Sequence, residues 1–97
     1  MFVILTTKPE EFHTVMGEGV TSVESYDYIF YGRKRANFTI AELNGVDRIT
    51  IIEDAPPHIT NKVPSKLFES FETLEEAREE LNTLTHYGSM DIELRLV

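Results

Sequence analysis

FTIAELNGVDRITII, residues 38–52, carries the strongest fold signal in the chain. Its centre, Asn44-Gly45, lies between two runs rich in β-branched residues. Both central positions of a type I′ turn need positive φ, which Asn and Gly tolerate best. The segment therefore predicts an antiparallel hairpin. Side chains alternate across strands, and the expected core face of this hairpin comprises Phe38, Ile40, Ile49 and Ile51.

A third strand is expected before this hairpin, at residues 24–31, where aromatic side chains recur at alternate positions. An odd loop at residues 32–34 would pair Tyr28 with Phe38 on the core face. An even loop would instead bring Asp27 to the core side, which is unfavourable for a carboxylate. The sequence thus predicts the odd loop and a three-stranded antiparallel meander.

The second firm signal is a helix at residues 73–86. Thr73-Leu74-Glu75-Glu76 has the pattern of a capping box, in which the Thr hydroxyl accepts a hydrogen bond from the third following backbone N–H. The apolar residues then recur at helical spacing and should pack on the core face of the meander. They are Leu74, Ala77, Leu81 and Leu84.

The remaining segments predict smaller elements. Residues 2–7 form an apolar run that favours a strand, and residues 9–16 have the spacing of a short helix that begins at a proline. Residues 55–66, which contain three prolines, are expected to be a loop. Residues 90–97 alternate between apolar and charged side chains and predict a half-buried strand.

Together these elements predict an α+β fold with the order β-α-β-β-β-α-β. The expected architecture is a single, mostly antiparallel sheet of about five strands with two helices packed on one face. Residues 67–71 leave open whether a further strand is present. With 97 residues, no internal repeat and no Ser/Gly linker, residues 1–97 are expected to form a single domain.

The opposite face of this sheet is the first candidate interaction site. One helical stripe cannot cover both sheet faces, and contiguous exposed apolar surface usually marks an interface. The face would serve self-association as a homodimer or the docking of a protein partner, unless the first helix and the proline-containing loop cover it. Its residues are Ile29, Tyr31, Leu43, Val46 and Ile52.

Two further candidate sites follow from residue type. Arg33, Lys34 and Arg35 concentrate one-third of the nine basic residues at one hairpin tip. There they would bind a phosphate or an acidic partner surface, or simply keep the turn soluble. Tyr28, Tyr31 and His58 are the residues that would shape an apolar cleft for a small ligand.

Several chemistries are disfavoured by the composition. The chain has no cysteine, so disulfides, thiol nucleophiles, iron–sulfur clusters and thiolate zinc sites are excluded. His13, His58 and His86 lie in three separate segments without metal-ligand spacing. No catalytic residue is identified, and neither a metal nor a cofactor is expected.

The charge balance limits the partners. Seventeen acidic and nine basic residues give a formal net charge of −8, which repels nucleic acids and anionic lipids. Direct binding to nucleic acid or membrane is therefore not expected. The apolar run at residues 2–5 is too short for a signal peptide, so a cytoplasmic location is expected.

Three functional hypotheses remain open. The leading one is a small, acidic, non-enzymatic accessory or regulatory module that acts through protein–protein interaction. The second is an acidic inhibitor that mimics nucleic acid and occupies the binding site of another protein. The third is a small dimeric α+β enzyme or ligand-binding protein with an apolar cleft.

Overall fold

The computed structural model of the chain describes residues 1–86 and 88–97. Within these ranges the chain is mostly β, with 51% strand and 16% helix. A 3₁₀ turn at Ser65–Leu67 precedes the α-helix. The elements are β1 (Phe2–Thr7), β2 (Phe12–Thr14), β3 (Val20–Phe30), β4 (Arg33–Leu43), β5 (Arg48–Glu53), β6 (Thr60–Pro64), α1 (Leu74–Thr85) and β7 (Ile92–Leu96).

The strands form two antiparallel sheets. The larger sheet has the order β1-β4-β3-β7, and the smaller sheet has the order β2-β5-β6. The expected single five-stranded sheet with two helices is therefore wrong, because the described residues contain two sheets and one α-helix. The broader description of the chain as α+β is retained.

The error begins at Asn44-Gly45. Gly45 adopts the expected positive φ of 67°, but Asn44 does not have the positive φ that a type I′ turn also requires, and the chain does not return along β4. It crosses instead to the smaller sheet, where β5 pairs with β2 and β6, while β4 pairs with β1 and β3. The reason is the burial of β4: Ile40 and Ala41 are adjacent, point to opposite faces and are both fully buried. Each face of β4 therefore needs its own covering layer.

The smaller sheet covers one face of the larger sheet. Val3 and Leu5 of β1, together with Ala41 and Leu43 of β4, pack against Ile49 of β5. The expectation that Ile49 lies beside Phe38 under the long helix is wrong, because the two side chains belong to different layers.

The α-helix covers the opposite face. Ala77 and Leu81 are buried against Ile40 and Phe71, and α1 lies mainly over β1 and β4. The larger sheet is thus the middle of three layers.

The hairpin that joins β3 and β4 has a different loop from the predicted one, but its aromatic side chains lie on the same sheet face as predicted. Tyr31 and Gly32 form a tight turn with positive φ at both residues, so the expected odd loop at residues 32–34 is wrong. Tyr26 pairs with Phe38 directly, and a register shift follows Tyr28. The register differs from the prediction by two residues, an even number, so the aromatic residues keep their common face.

Two local assignments are also wrong. The expected helix at residues 9–16 is a turn followed by the short strand β2, closed by hydrogen bonds between the backbones of Lys8 and Phe12. The expected loop at residues 55–66 contains β6, which pairs with β5. In both segments the partner strand β5 supplies backbone hydrogen bonds that local sequence patterns do not encode.

The long helix confirms its prediction. The Thr73 hydroxyl accepts a hydrogen bond from the Glu76 backbone N–H at 3.1 Å. The strands expected at residues 2–7 and 90–97 are also present, as β1 and β7. Leu84 is the exception in the helical stripe, because its side chain is 55% exposed.

We predict that Leu81→Ala lowers the free energy of unfolding by about 2–5 kcal/mol, because Leu81 is 1% exposed and its loss leaves a cavity under α1. Leu84→Ala is the matched control on the same helix and should change stability by less than about 0.5 kcal/mol. Urea unfolding followed by circular dichroism measures both. Equal losses for the two variants would contradict the described packing of α1.

We predict a second contrast between two glycines of the segment that leads into β3. At Gly19 the φ is +80°, and an added Cβ would lie 2.6 Å from the Asn44 carbonyl oxygen and 2.8 Å from Val46 Cγ2. Gly19→Ala should therefore cost about 1–3 kcal/mol of unfolding free energy. Gly17→Ala meets no described atom within 4 Å and should be neutral or slightly stabilising in the same urea titration.

Candidate functional site

The five residues of the expected interaction face do not lie on one surface. Leu43 is 7% exposed and Val46 packs with it in the core between the two sheets. Ile52 lies on β5 in the smaller sheet, whereas Ile29 is half-buried on β3 and Tyr31 is exposed at the tip of the hairpin. The proposed face depended on the hairpin at residues 38–52, so it disappears with that hairpin.

The basic hairpin tip is exposed at the start of β4 and borders an open groove of about 680 Å³. Lys34 Nζ lies 3.2 Å from Asp27 Oδ1, and Lys8 Nζ lies 3.2 Å from Glu11 Oε2. The groove is lined by Lys8, Pro9, Glu10, Glu11, Tyr28, Phe30, Lys34 and Arg35.

The charges of this groove are nearly balanced. Its three cations are Lys8, Lys34 and Arg35, and Glu10 and Glu11 oppose them together with the neighbouring Asp27. A balanced, open groove gives little net attraction for a phosphate or a carboxylate ligand. Arg33 lies beside the groove at the turn but does not line it.

The three residues expected to form a ligand cleft are not brought together. Tyr28 lines the groove, and the ring of Tyr31 packs edge-on against Phe30 at 4.7 Å between ring centres. His58 lies between β5 and β6, where its Nδ1 is 3.2 Å from the Glu53 carbonyl oxygen. A joint pocket of these residues would have needed the single-sheet fold.

The sequence reasoning missed a histidine–aspartate pair. His13 Nδ1 lies 2.7 Å from Asp54 Oδ1, which joins β2 to the end of β5. An aspartate that orients an imidazole is part of many catalytic triads. Within residues 1–86 and 88–97, however, no serine or threonine hydroxyl is hydrogen-bonded to this imidazole. The pair therefore joins two strands without forming a triad.

Metal binding has no support in the described part of the chain, which brings no three His, Asp or Glu side chains into a metal-binding arrangement.

The free edge of β7 is the site that stands out. β7 is the outermost strand of the larger sheet and pairs only with β3 among the described strands. The Asp91 carbonyl accepts from the Tyr31 N–H, and the Val97 N–H donates to the Ser25 carbonyl, both at 2.9 Å. In an antiparallel ladder alternate residues point their backbone groups to the same side. Residues 91, 93, 95 and 97 thus face β3, and residues 92, 94 and 96 face outward.

The other three edges are protected. On β1, Phe2 exchanges two backbone hydrogen bonds with Phe71, and the Thr6 carbonyl accepts from the Thr14 hydroxyl. β2 has only three residues, and β6 contains a lysine and ends at Pro64. Short strands, lysine and proline all hinder the addition of another strand. β7 is also short, with five residues, but it has neither lysine nor proline, and its outward backbone groups have no hydrogen-bond partner among the described residues.

The side chains of β7 divide into two sets. Ile92, Leu94 and Leu96 point to the face of α1, as shown by Leu94, which packs against the cluster around Leu81. Leu96 is 64% exposed, because α1 lies mainly over β1 and β4. Glu93 and Arg95 share the other face and form an ion pair at 2.9 Å. The alternating pattern in the sequence predicted this strand, but only the strand order places it at an edge.

A polar clamp joins α1 to the sheet beside this edge. Arg78 Nε donates to Glu24 Oε1 at 2.8 Å, and its Nη2 forms a second bond to Glu24 Oε2. The Tyr26 hydroxyl donates to the same carboxylate at 2.7 Å. The hydrogen bonds from Arg78, followed by that from Tyr26, lower the pKa of Glu24 from 4.5 to about 2. Burial raises the pKa of Tyr26.

We predict a pH-dependent contribution from this clamp. A carboxyl group whose pKa is lowered by folding stabilises the protein above its unfolded pKa and loses that effect as pH falls through its folded pKa. The stability advantage of the wild type over Glu24→Gln should thus be full above pH 4.5 and decline toward pH 2. Thermal unfolding at stepped pH measures it. In an Arg78→Met background the same substitution should show a much smaller pH dependence, and an unchanged one would contradict the clamp.

In comparisons with known proteins, no family model, no curated protein and no solved structure matches this chain. None of the helices in the described residues has the length and apolar character needed to cross a membrane.

Proposed function

We propose that this chain is a small, non-enzymatic accessory module that acts by binding an extended protein strand along β7. The observation that carries this proposal is the row of outward backbone groups at Ile92, Leu94 and Leu96, on an edge without lysine or proline. We propose the cytoplasm as its compartment, with which a chain without cysteine is compatible.

An edge of this kind selects a polypeptide by its chemistry. The free groups alternate between N–H and C=O at the strand repeat, and only another extended peptide backbone presents the complementary order. The alternate side chains Ile92, Leu94 and Leu96 then add apolar contacts on one face. The net charge of −8 further disfavours nucleic acid as the occupant.

The other two hypotheses have less support. Mimicry of nucleic acid rests on the overall acidity alone, which also serves solubility. A ligand-binding role would use the groove at Tyr28, whose balanced charges and open shape give weak selection for a small molecule.

Site-directed photo-crosslinking tests the proposal. We expect p-benzoylphenylalanine in place of Leu96 to give a discrete covalent adduct with a protein chain in a cell extract. The same residue in place of Leu67, which is 70% exposed on the 3₁₀ turn, should give none. Equal labelling at both positions would overturn the proposal.

A second variant connects the adduct to the backbone edge. Ile92→Pro removes one outward N–H at the first residue of β7 and breaks no hydrogen bond to β3. Loss of one edge hydrogen bond of about 1 kcal/mol should reduce the adduct at position 96 by about fivefold or more. An unchanged yield, with the fold verified by circular dichroism, would show that the partner does not use this edge.

A further inference from the structure

We infer that the partner strand is β7 of a second copy of this chain, paired antiparallel about a two-fold axis at Leu94. This inference rests on the proposed function, since it names the occupant of the same edge. The two larger sheets would join into one continuous eight-stranded sheet.

The backbone of β7 fits this pairing. The outward residues are 92, 94 and 96, so an axis at Leu94 places Leu94 opposite Leu94 and Ile92 opposite Leu96 of the second copy. Each of these opposed pairs exchanges two backbone hydrogen bonds in an antiparallel ladder. The seam, which is the contact between β7 of one copy and β7 of the other, would thus contain about six hydrogen bonds. The side chains of all three residues then meet on the α1 face.

The charges of β7 select this register. With the axis at Leu94, Glu93 lies opposite Arg95 of the second copy, and Arg95 lies opposite its Glu93. A slip of two residues in one direction places Glu93 opposite Glu93, although Asp91 then lies opposite Arg95, and a slip in the other direction places Arg95 opposite Arg95. Directly opposed like charges destabilise a strand pair, whereas opposite charges stabilise it. Among these three registers, only the one with its axis at Leu94 places no like charges directly opposite each other.

The acidic helices do not oppose this arrangement. α1 lies mainly over β1 and β4, and strands are spaced by about 4.8 Å, so the two helix axes would lie about 30 Å apart across the seam. Repulsion between solvent-exposed charges is largely screened beyond about 8 Å at physiological ionic strength. The charges of the two helices thus have little effect where the two β7 strands would meet.

Amide hydrogen exchange across a concentration series tests the pairing. In the monomer, the N–H groups of residues 93, 95 and 97 are bonded to β3, and those of residues 92, 94 and 96 face solvent. We expect the exchange of the second set to slow as the protein concentration rises, in parallel with dimer formation in sedimentation equilibrium. A protein that stays monomeric to millimolar concentration, or a dimer that leaves these three amides unprotected, would overturn the inference.

A charge exchange tests the register. Glu93→Arg places arginines opposite each other twice across the seam, and Arg95→Glu does the same with glutamates. Each variant alone should dimerise at least about tenfold more weakly than the wild type, because like charges oppose at close range. An equimolar mixture of the two should form a heterodimer at near wild-type affinity, and so should the double variant as a homodimer. Failure of the mixture to recover affinity would overturn the proposed register.

The two proposals fail in distinguishable ways. A strictly monomeric protein whose position 96 still crosslinks to a different protein would overturn self-pairing and leave the strand-binding module in place. A monomeric protein without any adduct at position 96 would overturn both.

Discussion

The burial of β4 on both faces is the constraint from which the rest of the fold follows. Ile40 and Ala41 are adjacent and point in opposite directions, and neither is exposed to solvent. A strand of this kind cannot lie in a sheet with one open face, because burying apolar surface on each side supplies much of the folding free energy. The smaller sheet and α1 each cover one face, and this demand moves β5 from the edge of β4 onto its face.

The strand order places the candidate site. Because β5 does not pair with β4, the two edges of β4 are taken by β1 and β3, and β7 closes the sheet outside β3. Ala77 and Leu81 hold α1 over β1 and β4, away from β7. The hydrogen bonds between Arg78 and Glu24 join the helix to β3. β7 therefore keeps a free backbone edge and an exposed Leu96, because the helix that covers the buried strand β4 does not extend over β7.

Local signals in the sequence were sufficient to predict some helices and strands, but not which strands pair with each other. The hydroxyl of Thr73 caps α1, and residues 90–97 contain β7, because capping and alternation depend on neighbouring residues alone. Asn44-Gly45 specified a positive φ at Gly45 but not the strand that follows it. The short strand β2 depends on hydrogen bonds to β5, which no local pattern reveals. For the same reason the sequence predicted the side-chain alternation of β7 but not its position at an edge.

A sheet with a free edge can add further strands and assemble without limit. In the proposed dimer, the protected β1 edges prevent this. In the proposed dimer both copies of β7 are used, so the joined sheet ends at its two β1 strands. There the backbone of Phe2 is already bonded to Phe71, and the Thr6 carbonyl accepts from Thr14. A two-fold contact between identical edges uses both of them and closes the assembly. The Glu93 and Arg95 pair adds a second limit, because a slipped register brings like charges together. A lysine in place of Leu94 would lie opposite itself at the two-fold axis and repel the second copy, whereas Glu93 and Arg95 place opposite charges together in that register.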